Sequence, residues 1–79
     1  MRLDKYLKVS RIIKRRTLAN EACDAGRVSV NGKPAKAGLE VKPGDIIEIR
    51  FGGSTSRYEI LNVAEAVRKE AAGDMYRTL

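Results

Sequence analysis

The sequence predicts an α+β fold in which a helix-turn-helix-like pair of helices packs on a small, largely antiparallel sheet. Apolar residues recur at helical spacing near the start of the chain, and beyond Gly26 the pattern alternates with a period of two. Asn31-Gly32 marks a hairpin in the alternating part, because a type I′ turn needs positive φ at both central positions. Helical patterns followed by strand patterns are typical of α+β domains.

The first helix is predicted to begin at Leu3, because Leu3, Tyr6 and Leu7 fall at positions i, i+3 and i+4 of one buried stripe. Tyr6 is interpreted as a core residue rather than a base-stacking platform. Asp4 is placed to pair with Lys8, or to orient an arginine toward a phosphate. Residues 14–16 follow as an exposed loop, since three adjacent like charges repel each other.

The second helix is predicted over residues 18–25. Thr17 offers a hydroxyl as its N-cap, and Gly26 supplies the left-handed residue that ends it. Cys23 lies on this helix and is interpreted as a small core residue, because the nearby carboxylates of Glu21 and Asp24 would raise the pKa of its thiol.

The part of the chain after Gly26 is predicted to form short antiparallel strands. Pro34 restricts the second strand to an edge, because proline cannot donate a ladder hydrogen bond. A Pro-Gly turn over residues 41–45 precedes the most apolar strand, and residues 52–54 break that strand from the next. The predicted strands are residues 27–30, 33–36, 46–51 and 57–63.

The C-terminal segment is set apart from the domain of residues 1–63. Strong helix formers predict a helix over residues 64–72 that ends at Gly73. Residues 74–79 are compatible with a docking strand, a helix turn or a loose tail. Residues 64–79 are therefore expected to form a C-terminal helix or tail.

The net charge of the chain is concentrated at its beginning. The first 16 residues hold seven bases and one acid, a net charge of +6, whereas the other 63 residues hold nine of each. This asymmetry is the electrostatic footprint of a surface that binds a polyanion. The seven bases are Arg2, Lys5, Lys8, Arg11, Lys14, Arg15 and Arg16.

Composition excludes several classes of function. The chain has no histidine and one cysteine, so we expect no catalytic residues, no metal site and no cofactor. The sequence contains no apolar run long enough for a membrane span and no signal peptide, which indicates a reduced cytoplasmic protein without a membrane partner. Interfacial membrane binding would need a longer amphipathic helix than the first one.

Among polyanions, structured RNA fits the sequence better than DNA. The second helix carries Asn20, Glu21 and Asp24, and carboxylates on a recognition helix would be repelled by DNA phosphates. A compact patch of Arg and Lys on a helix and its adjoining turn suits the phosphate pattern of folded RNA. The alternatives are a solvated cationic helix face, and a protein-interaction module whose basic face meets an acidic partner.

Four segments in order resemble the S4 RNA-binding domain family over about residues 2–51. They are RLD at 2–4, TLA at 17–19, GRVSVNG at 26–32 and VKPGDII at 41–47. In that family the two-helix unit and the start of the following hairpin lie against structured RNA. The resemblance implies that the same basic surface, extended by Arg27 and Lys33, forms the RNA-binding site.

The opening RLDKYLKVSRIIKRRTL and the MYRTL near the end resemble a group of small S4 proteins in ribosome-associated quality control. This resemblance implies binding to a split large ribosomal subunit that retains peptidyl-tRNA, with contacts to large-subunit rRNA and to the tRNA. It also implies an RqcH-type partner that directs C-terminal alanine tailing, and a monomeric state off the ribosome. The related heat-shock protein fifteen family, which generally has a longer basic C-terminal extension, is the alternative.

Overall fold

The computed structural model describes residues 1–64 and 73–79. The helix predicted over residues 64–72 falls, except for its first residue, outside the described residues. Within the described part, two helices pack on a five-stranded antiparallel sheet with strand order β2-β1-β3-β4-β5, so the predicted α+β class is confirmed. The elements are α1 (Leu3–Val9), α2 (Arg16–Asp24), β1 (Val28–Val30), β2 (Lys33–Pro34), β3 (Ile46–Phe51), β4 (Ser54–Ile60) and β5 (Tyr76–Thr78).

Backbone carbonyls of a distant loop satisfy the start of α1. The amide of Leu3 donates to the carbonyl of Leu39 at 2.8 Å, and the amide of Asp4 donates to the carbonyl of Ala37 at 3.1 Å. These two amides belong to the first turn, whose N–H groups have no partner within the helix. The loop carbonyls therefore take the place of an N-cap side chain and fix the start of α1 against this loop.

Arg11 ends α1 in the left-handed conformation, with φ of 63°. Its amide donates to the carbonyl of Lys8 at 3.1 Å, which closes the helix in the way that a glycine usually does. A side chain in this conformation costs about 1–2 kcal/mol. The chain therefore keeps an exposed arginine at a position where glycine would be less strained.

The second helix begins earlier than the sequence predicted. It starts at Arg16, so the prediction of Thr17 as N-cap is wrong, and the cap position belongs to the extended Arg15. No side-chain hydrogen bond from the cap residue closes this helix start among the described residues. The carboxylate of Asp4 accepts a hydrogen bond from Arg16 at 3.2 Å and so draws this residue into the first turn.

The end of α2 matches the prediction of a glycine stop. Gly26 has φ of 74°. Its amide donates to the carbonyl of Cys23, and the amide of Arg27 donates to the carbonyl of Ala22, both at 3.0 Å. This pair of hydrogen bonds is a Schellman motif, and it turns the chain directly from α2 into β1.

Asn31 and Gly32 form the predicted hairpin turn, with φ of 54° and 81°. The Asn31 side chain has a second role, because it donates to the carboxylate of Asp45 at 3.1 Å and accepts from the amide of Ile46 at 3.0 Å. The hairpin is thereby joined to the turn that leads into β3. Asp45 itself is buried.

Several strand boundaries differ from the predicted ones. β2 ends at Pro34 rather than at residue 36, and β1 begins at Val28 rather than at residue 27. β4 begins at Ser54 rather than at residue 57, because Gly52 and Gly53 form a two-residue turn that places Phe51 opposite Ser54. β4 also ends at residue 60 instead of 63.

The last described residues pack into the same sheet. β5 pairs with β4, with Ile60 opposite Tyr76, so of the three conformations left open for the chain end the structure shows the docking strand. Residues 73–75 form a short 3₁₀ turn before it. The division of the chain into domains at residue 63 stays a prediction.

The core brings buried side chains of α1 together with those of β3, of β4 and of the segment before β5. The fully buried side chains include Tyr6, Leu7, Ile47, Ile60 and Met75. The Tyr6 hydroxyl donates to the carbonyl of Met75 at 2.7 Å, and burial raises the pKa of this phenol. The interpretation of Tyr6 as a core residue is therefore confirmed.

Cys23 also lies in the core. Its side chain is buried, and burial, followed by the charges of Asp4 and Asp24, raises the pKa of the thiol to about 11. The predicted direction of the shift is confirmed, and Asp24 contributes as predicted, but the largest cause is burial and Glu21 is not among the causes. A thiol with this pKa is protonated and unreactive near neutral pH.

We expect Tyr6→Phe to lower the free energy of unfolding by about 1 kcal/mol, because it removes the hydrogen bond to the buried Met75 carbonyl without opening a large cavity. Urea denaturation followed by circular dichroism measures this change. Tyr58→Phe is the matched control, since Tyr58 is a half-buried tyrosine whose ring packs edge-on against Tyr76. Equal losses in both variants would contradict a special role for the Tyr6 hydroxyl.

Candidate nucleic-acid interface

The carboxylate of Asp4 is the centre of the polar structure at the basic end of the molecule. Its side chain is only 1% exposed. It accepts hydrogen bonds from the Lys5 amide at 2.8 Å, from the Asn20 amide group at 3.2 Å and from Arg16 Nε at 3.2 Å. Arg2 adds two longer contacts, from Nε at 3.3 Å and from Nη2 at 3.4 Å.

The pKa of Asp4 shows that its surroundings favour the charged form. Burial opposes ionisation, but the hydrogen bonds from Arg16 and the Lys5 amide, together with the charges of Arg16 and Arg2, outweigh it and lower the pKa. Asp4 is therefore ionised at neutral pH. Of the two roles that the sequence left open for Asp4, the structure shows the orientation of arginines and not the pairing with Lys8.

Arg2 and Arg16 remain available to a ligand although both contact Asp4. Their side chains are 52% and 48% exposed. One carboxylate neutralises only one of the two positive charges, so the group keeps a net charge of +1. The hydrogen bond to Asp4 engages Nε of Arg16, so its two Nη groups can still donate to a phosphate, for which the planar guanidinium is well suited.

An open cleft of about 510 Å³ lies beside these two arginines. Asp4 and the first two turns of α2 line it, through Thr17, Asn20 and Glu21. The sequence did not assign Asn20 to the site. A usable signal was its position four residues after Arg16, because residues at i and i+4 share one face of a helix.

The other bases of the first 16 residues lie on α1 and on the connection to α2. Lys8 is exposed in the last turn of α1, and Lys5 is half-buried in the same helix. The connection presents three exposed bases: Arg11, Lys14 and Arg15. The basic groups therefore cover α1 and the connection, as the sequence predicted, whereas the prediction that Arg16 lies in the loop is wrong, because Arg16 is the first residue of α2.

Arg27 and Lys33 do not line the cleft beside Asp4, Arg2 and Arg16. Arg27 is the last residue of the Schellman motif and lines a groove formed by the end of α2 and the end of β3. Lys33 lines a different open cleft, of about 770 Å³, with Lys42 and Asn31. Of the nine predicted residues, Arg2 and Arg16 thus line one cleft, whereas Arg27 and Lys33 each line another.

The sheet presents a contrasting surface on which bases are paired with acids. Arg57 lies opposite Glu48 in the β3–β4 ladder, with Nε to Oε2 at 3.5 Å. Arg77 pairs with Glu59 across β4 and β5. In these two pairs each arginine on the sheet lies beside a glutamate, in contrast to the basic end, where one acid stands against seven bases.

With this geometry defined, comparison with known proteins identifies the family. The family model described as the S4 domain matches residues 1–47. The chain belongs to the S4 domain family. The matched part contains α1, α2, the β1–β2 hairpin and the start of β3, so the Asp4 group lies wholly within the S4 domain, and the resemblance inferred from the four sequence segments is confirmed.

Relatives of this S4 protein carry names that concern ribosomes and stress. The chain is similar to the RQC P-site tRNA stabilizing factor of Halalkalibacterium halodurans, at 62% identity over 96% of this chain and 86% of the relative. The protein of the same name from Bacillus subtilis is 52% identical over 100% of this chain and 92% of the relative. The solved trimeric structure of Vibrio cholerae heat shock protein 15 superposes with a TM-score of 0.91 at 32% identity, over 100% of this chain and 81% of the other.

The structure also bears on two other classes of function. Neither helix of the described ranges 1–64 and 73–79 has the length and apolar character that a membrane span requires. Over the same residues, no group of three potential ligands from Cys, Asp and Glu converges on a metal position.

We expect the stabilisation by Asp4 to depend on pH. The folded-state pKa of Asp4 lies below the unfolded value, about 3.9, so the ionised carboxylate stabilises the fold above this value and the contribution is lost as pH falls through the folded pKa. Asp4→Asn should lower the free energy of unfolding by about 1–3 kcal/mol near neutral pH. The difference from the unsubstituted protein should be constant at higher pH and shrink as pH falls below about 3.9, the unfolded pKa.

Denaturant titrations at several pH values measure this difference. Glu48→Gln is the matched control, because it removes a carboxylate whose arginine partner lies on the exposed sheet face, and such pairs contribute under about 1 kcal/mol. A gap between Asp4→Asn and the unsubstituted protein that stayed constant as pH fell below about 3.9 would contradict the assignment of Asp4 as the stabilising anion.

Proposed function

We propose that this protein is a non-catalytic RNA-binding factor of ribosome-associated quality control in the cytoplasm. It binds the split large ribosomal subunit through rRNA and holds the peptidyl-tRNA on that subunit. The observation that carries this proposal is the pair of half-exposed arginines, Arg2 and Arg16, that the buried Asp4 carboxylate orients. A partner of the RqcH type then directs C-terminal alanine tailing of the stalled chain.

The names of the relatives support the tRNA part of this proposal. Five of them, at 51% to 62% identity, are called RQC P-site tRNA stabilizing factors. That name states that those proteins stabilise a tRNA in the P site. Identity at this level over most of both chains supports the same role here.

The placement of the basic residues supports contact with two RNA surfaces. The Arg2–Arg16 cleft lies at the junction of the two helices, whereas Lys33 and Lys42 line a cleft beside the β1–β2 hairpin. A factor that binds rRNA and tRNA together needs bases on more than one face. Bound in this way, it would keep the tRNA positioned between successive additions of alanine.

A function like that of heat shock protein 15 is the second candidate. The fold favours it, because the Vibrio cholerae protein superposes at a TM-score of 0.91. The sequence favours the first candidate, since the heat shock protein 15 homolog of Aeromonas salmonicida is 37% identical and the factors from Halalkalibacterium halodurans and Bacillus subtilis are 62% and 52% identical. The resemblance to the heat shock protein 15 family implies binding to large subunits blocked by nascent chains, so the two candidates share the large subunit as ligand and differ in the role of the tRNA.

We expect large subunits that carry peptidyl-tRNA to bind this protein more tightly than empty subunits, because only the loaded subunit offers both RNA surfaces. Arg2→Ala and Arg16→Ala should remove this preference and lower the slope of log affinity against log salt by about one unit per lost phosphate contact. Arg16→Lys should also be damaging, since an ammonium cannot make bidentate contacts. Sedimentation of labelled protein with purified subunits at several salt concentrations measures these changes.

Arg57→Ala is the matched control, because Arg57 is a comparably exposed arginine on the sheet face, and it should leave affinity and salt slope unchanged. In cells, Arg2→Ala and Arg16→Ala should stop elongation of C-terminal alanine tails at unchanged protein levels. Equal affinity for empty and loaded subunits, with normal tails in both variants, would reduce the function to general rRNA binding and exclude the tRNA clamp.

A further inference from the structure

An apolar groove of about 470 Å³ lies next to the basic end of the molecule, between α2 and the end of β3. Most of its lining is aliphatic or aromatic, and two of these side chains are unusually exposed for their type: Leu18 at 48% and Phe51 at 52%. Exposed apolar side chains that lie together on a small protein mark a site of interaction. The apolar lining consists of Ile12, Ile13, Leu18, Ala22, Ala25 and Phe51.

The backbone holds Phe51 in this exposed position. It is the last residue of β3 and lies opposite Ser54 across the Gly52-Gly53 turn. The preceding residue, Arg50, donates its amide to the carbonyl of Arg27 at 2.9 Å and its Nη2 to the carbonyl of Gly26 at 3.1 Å. The Phe51 wall is therefore tied to the Schellman motif that ends α2, so the groove is formed before any ligand arrives.

Two charged side chains complete the lining of the groove: Glu21 and Arg27. A carboxylate disfavours a phosphate but accepts hydrogen bonds from the amino and imino groups of nucleobases. A guanidinium attracts the phosphate of the same nucleotide and can also stack on a base. An apolar groove with one hydrogen-bond acceptor and one cation matches the chemistry of an unpaired nucleobase. It does not match the phosphate backbone of double-helical RNA.

The surrounding charge indicates which ligand reaches the groove. Ile12 and Ile13 lie in the chain between Arg11 and Lys14, both exposed bases of the surface proposed to bind RNA. A phosphate backbone held by these bases would run along the edge of the groove. An unpaired base of that strand could then turn inward, where its face meets apolar side chains and its edge meets Glu21.

We propose that this groove binds a single unpaired nucleobase of the RNA, with Phe51 as the stacking surface and Glu21 as the hydrogen-bond acceptor. The inference rests on the proposed RNA-binding function and adds a site for a base to the phosphate contacts. Guanine is the preferred base, because its N1–H and N2–H groups form two adjacent donors for one carboxylate. Uracil presents one such donor between two carbonyl oxygens, which the carboxylate repels.

The test compares two RNA hairpins that differ only in one bulged guanosine. The unsubstituted protein should bind the bulged hairpin more tightly than the fully paired one. Phe51→Ala should weaken binding of the bulged hairpin by roughly 5- to 150-fold, the range that loss of stacking on one base produces, and should leave binding of the paired hairpin unchanged. Phe51→Leu should give an intermediate loss. Leu61→Ala should have no effect, because Leu61 is exposed to a similar extent as Phe51 but lies outside the groove.

A second comparison tests the role of Glu21. Replacing the bulged guanosine by uridine should weaken binding to the unsubstituted protein, and Glu21→Gln should remove most of this discrimination. On charge alone, the same substitution would tighten binding of both RNAs. Unchanged discrimination in Glu21→Gln would contradict the assigned acceptor.

The outcomes separate this inference from the proposed function. If Phe51→Ala changes the affinity of the bulged hairpin by less than about twofold while Arg2→Ala weakens both hairpins, the base site is wrong and the RNA-binding surface stands. The groove would then suit an apolar segment of a protein partner. If Arg2→Ala and Arg16→Ala leave both affinities unchanged, the proposed function fails and the base site fails with it.

Discussion

The buried carboxylate of Asp4 joins the start of α1, the first turns of α2 and two guanidinium groups that face solvent. An isolated ionised carboxylate in this position would be costly. Its partners lower that cost, and in return the carboxylate fixes two side chains that have many rotamers in solution. Binding a phosphate therefore requires less ordering of Arg2 and Arg16 than binding by free arginines would. The same contacts set where α2 begins, because they involve Arg16 and Asn20 on one face of that helix.

Charged side chains are paired on the sheet but largely uncompensated at the helical end of the molecule. On the sheet, Arg57 and Arg77 pair with glutamates across neighbouring strands, so that surface neutralises itself. At the helical end, one acid stands against seven bases in the first 16 residues, and the left-handed Arg11 adds backbone strain. Strain and uncompensated charge gathered at one end are typical of a binding surface. The hydrogen bonds of the loop at residues 37–39 to the first turn of α1 hold this end in place.

The fold class, the hairpin at Asn31-Gly32 and the glycine stop at Gly26 could be predicted from sequence, because each depends on local pattern or on a φ that few residues adopt. The start of α2 could not be predicted from sequence, because Thr17 is locally a good N-cap residue. The hydrogen bond that holds Arg16 in the first turn is donated to Asp4, which is distant in the sequence. The docking of β5 depends on contacts with β4, which no local pattern reveals. For the site, counting charges along the sequence identified the basic surface but not how its residues are arranged. The count gave no reason to single out Asn20, and it did not distinguish Arg2, which contacts Asp4, from Lys8.

The central claim is that Asp4 promotes RNA binding by orienting arginines, although it contributes a negative charge. Asp4→Asn tests it directly, because this substitution raises the net charge from +6 to +7 while it weakens the hold on Arg2 and Arg16. Affinity for tRNA-loaded large subunits should be measured at low temperature, with circular dichroism to verify that the variant is folded. If orientation governs binding, as we infer, Asp4→Asn binds more weakly than the unsubstituted protein despite its extra positive charge. Unchanged or tighter binding would show that the charge of the basic end, and not its arrangement around Asp4, accounts for RNA affinity.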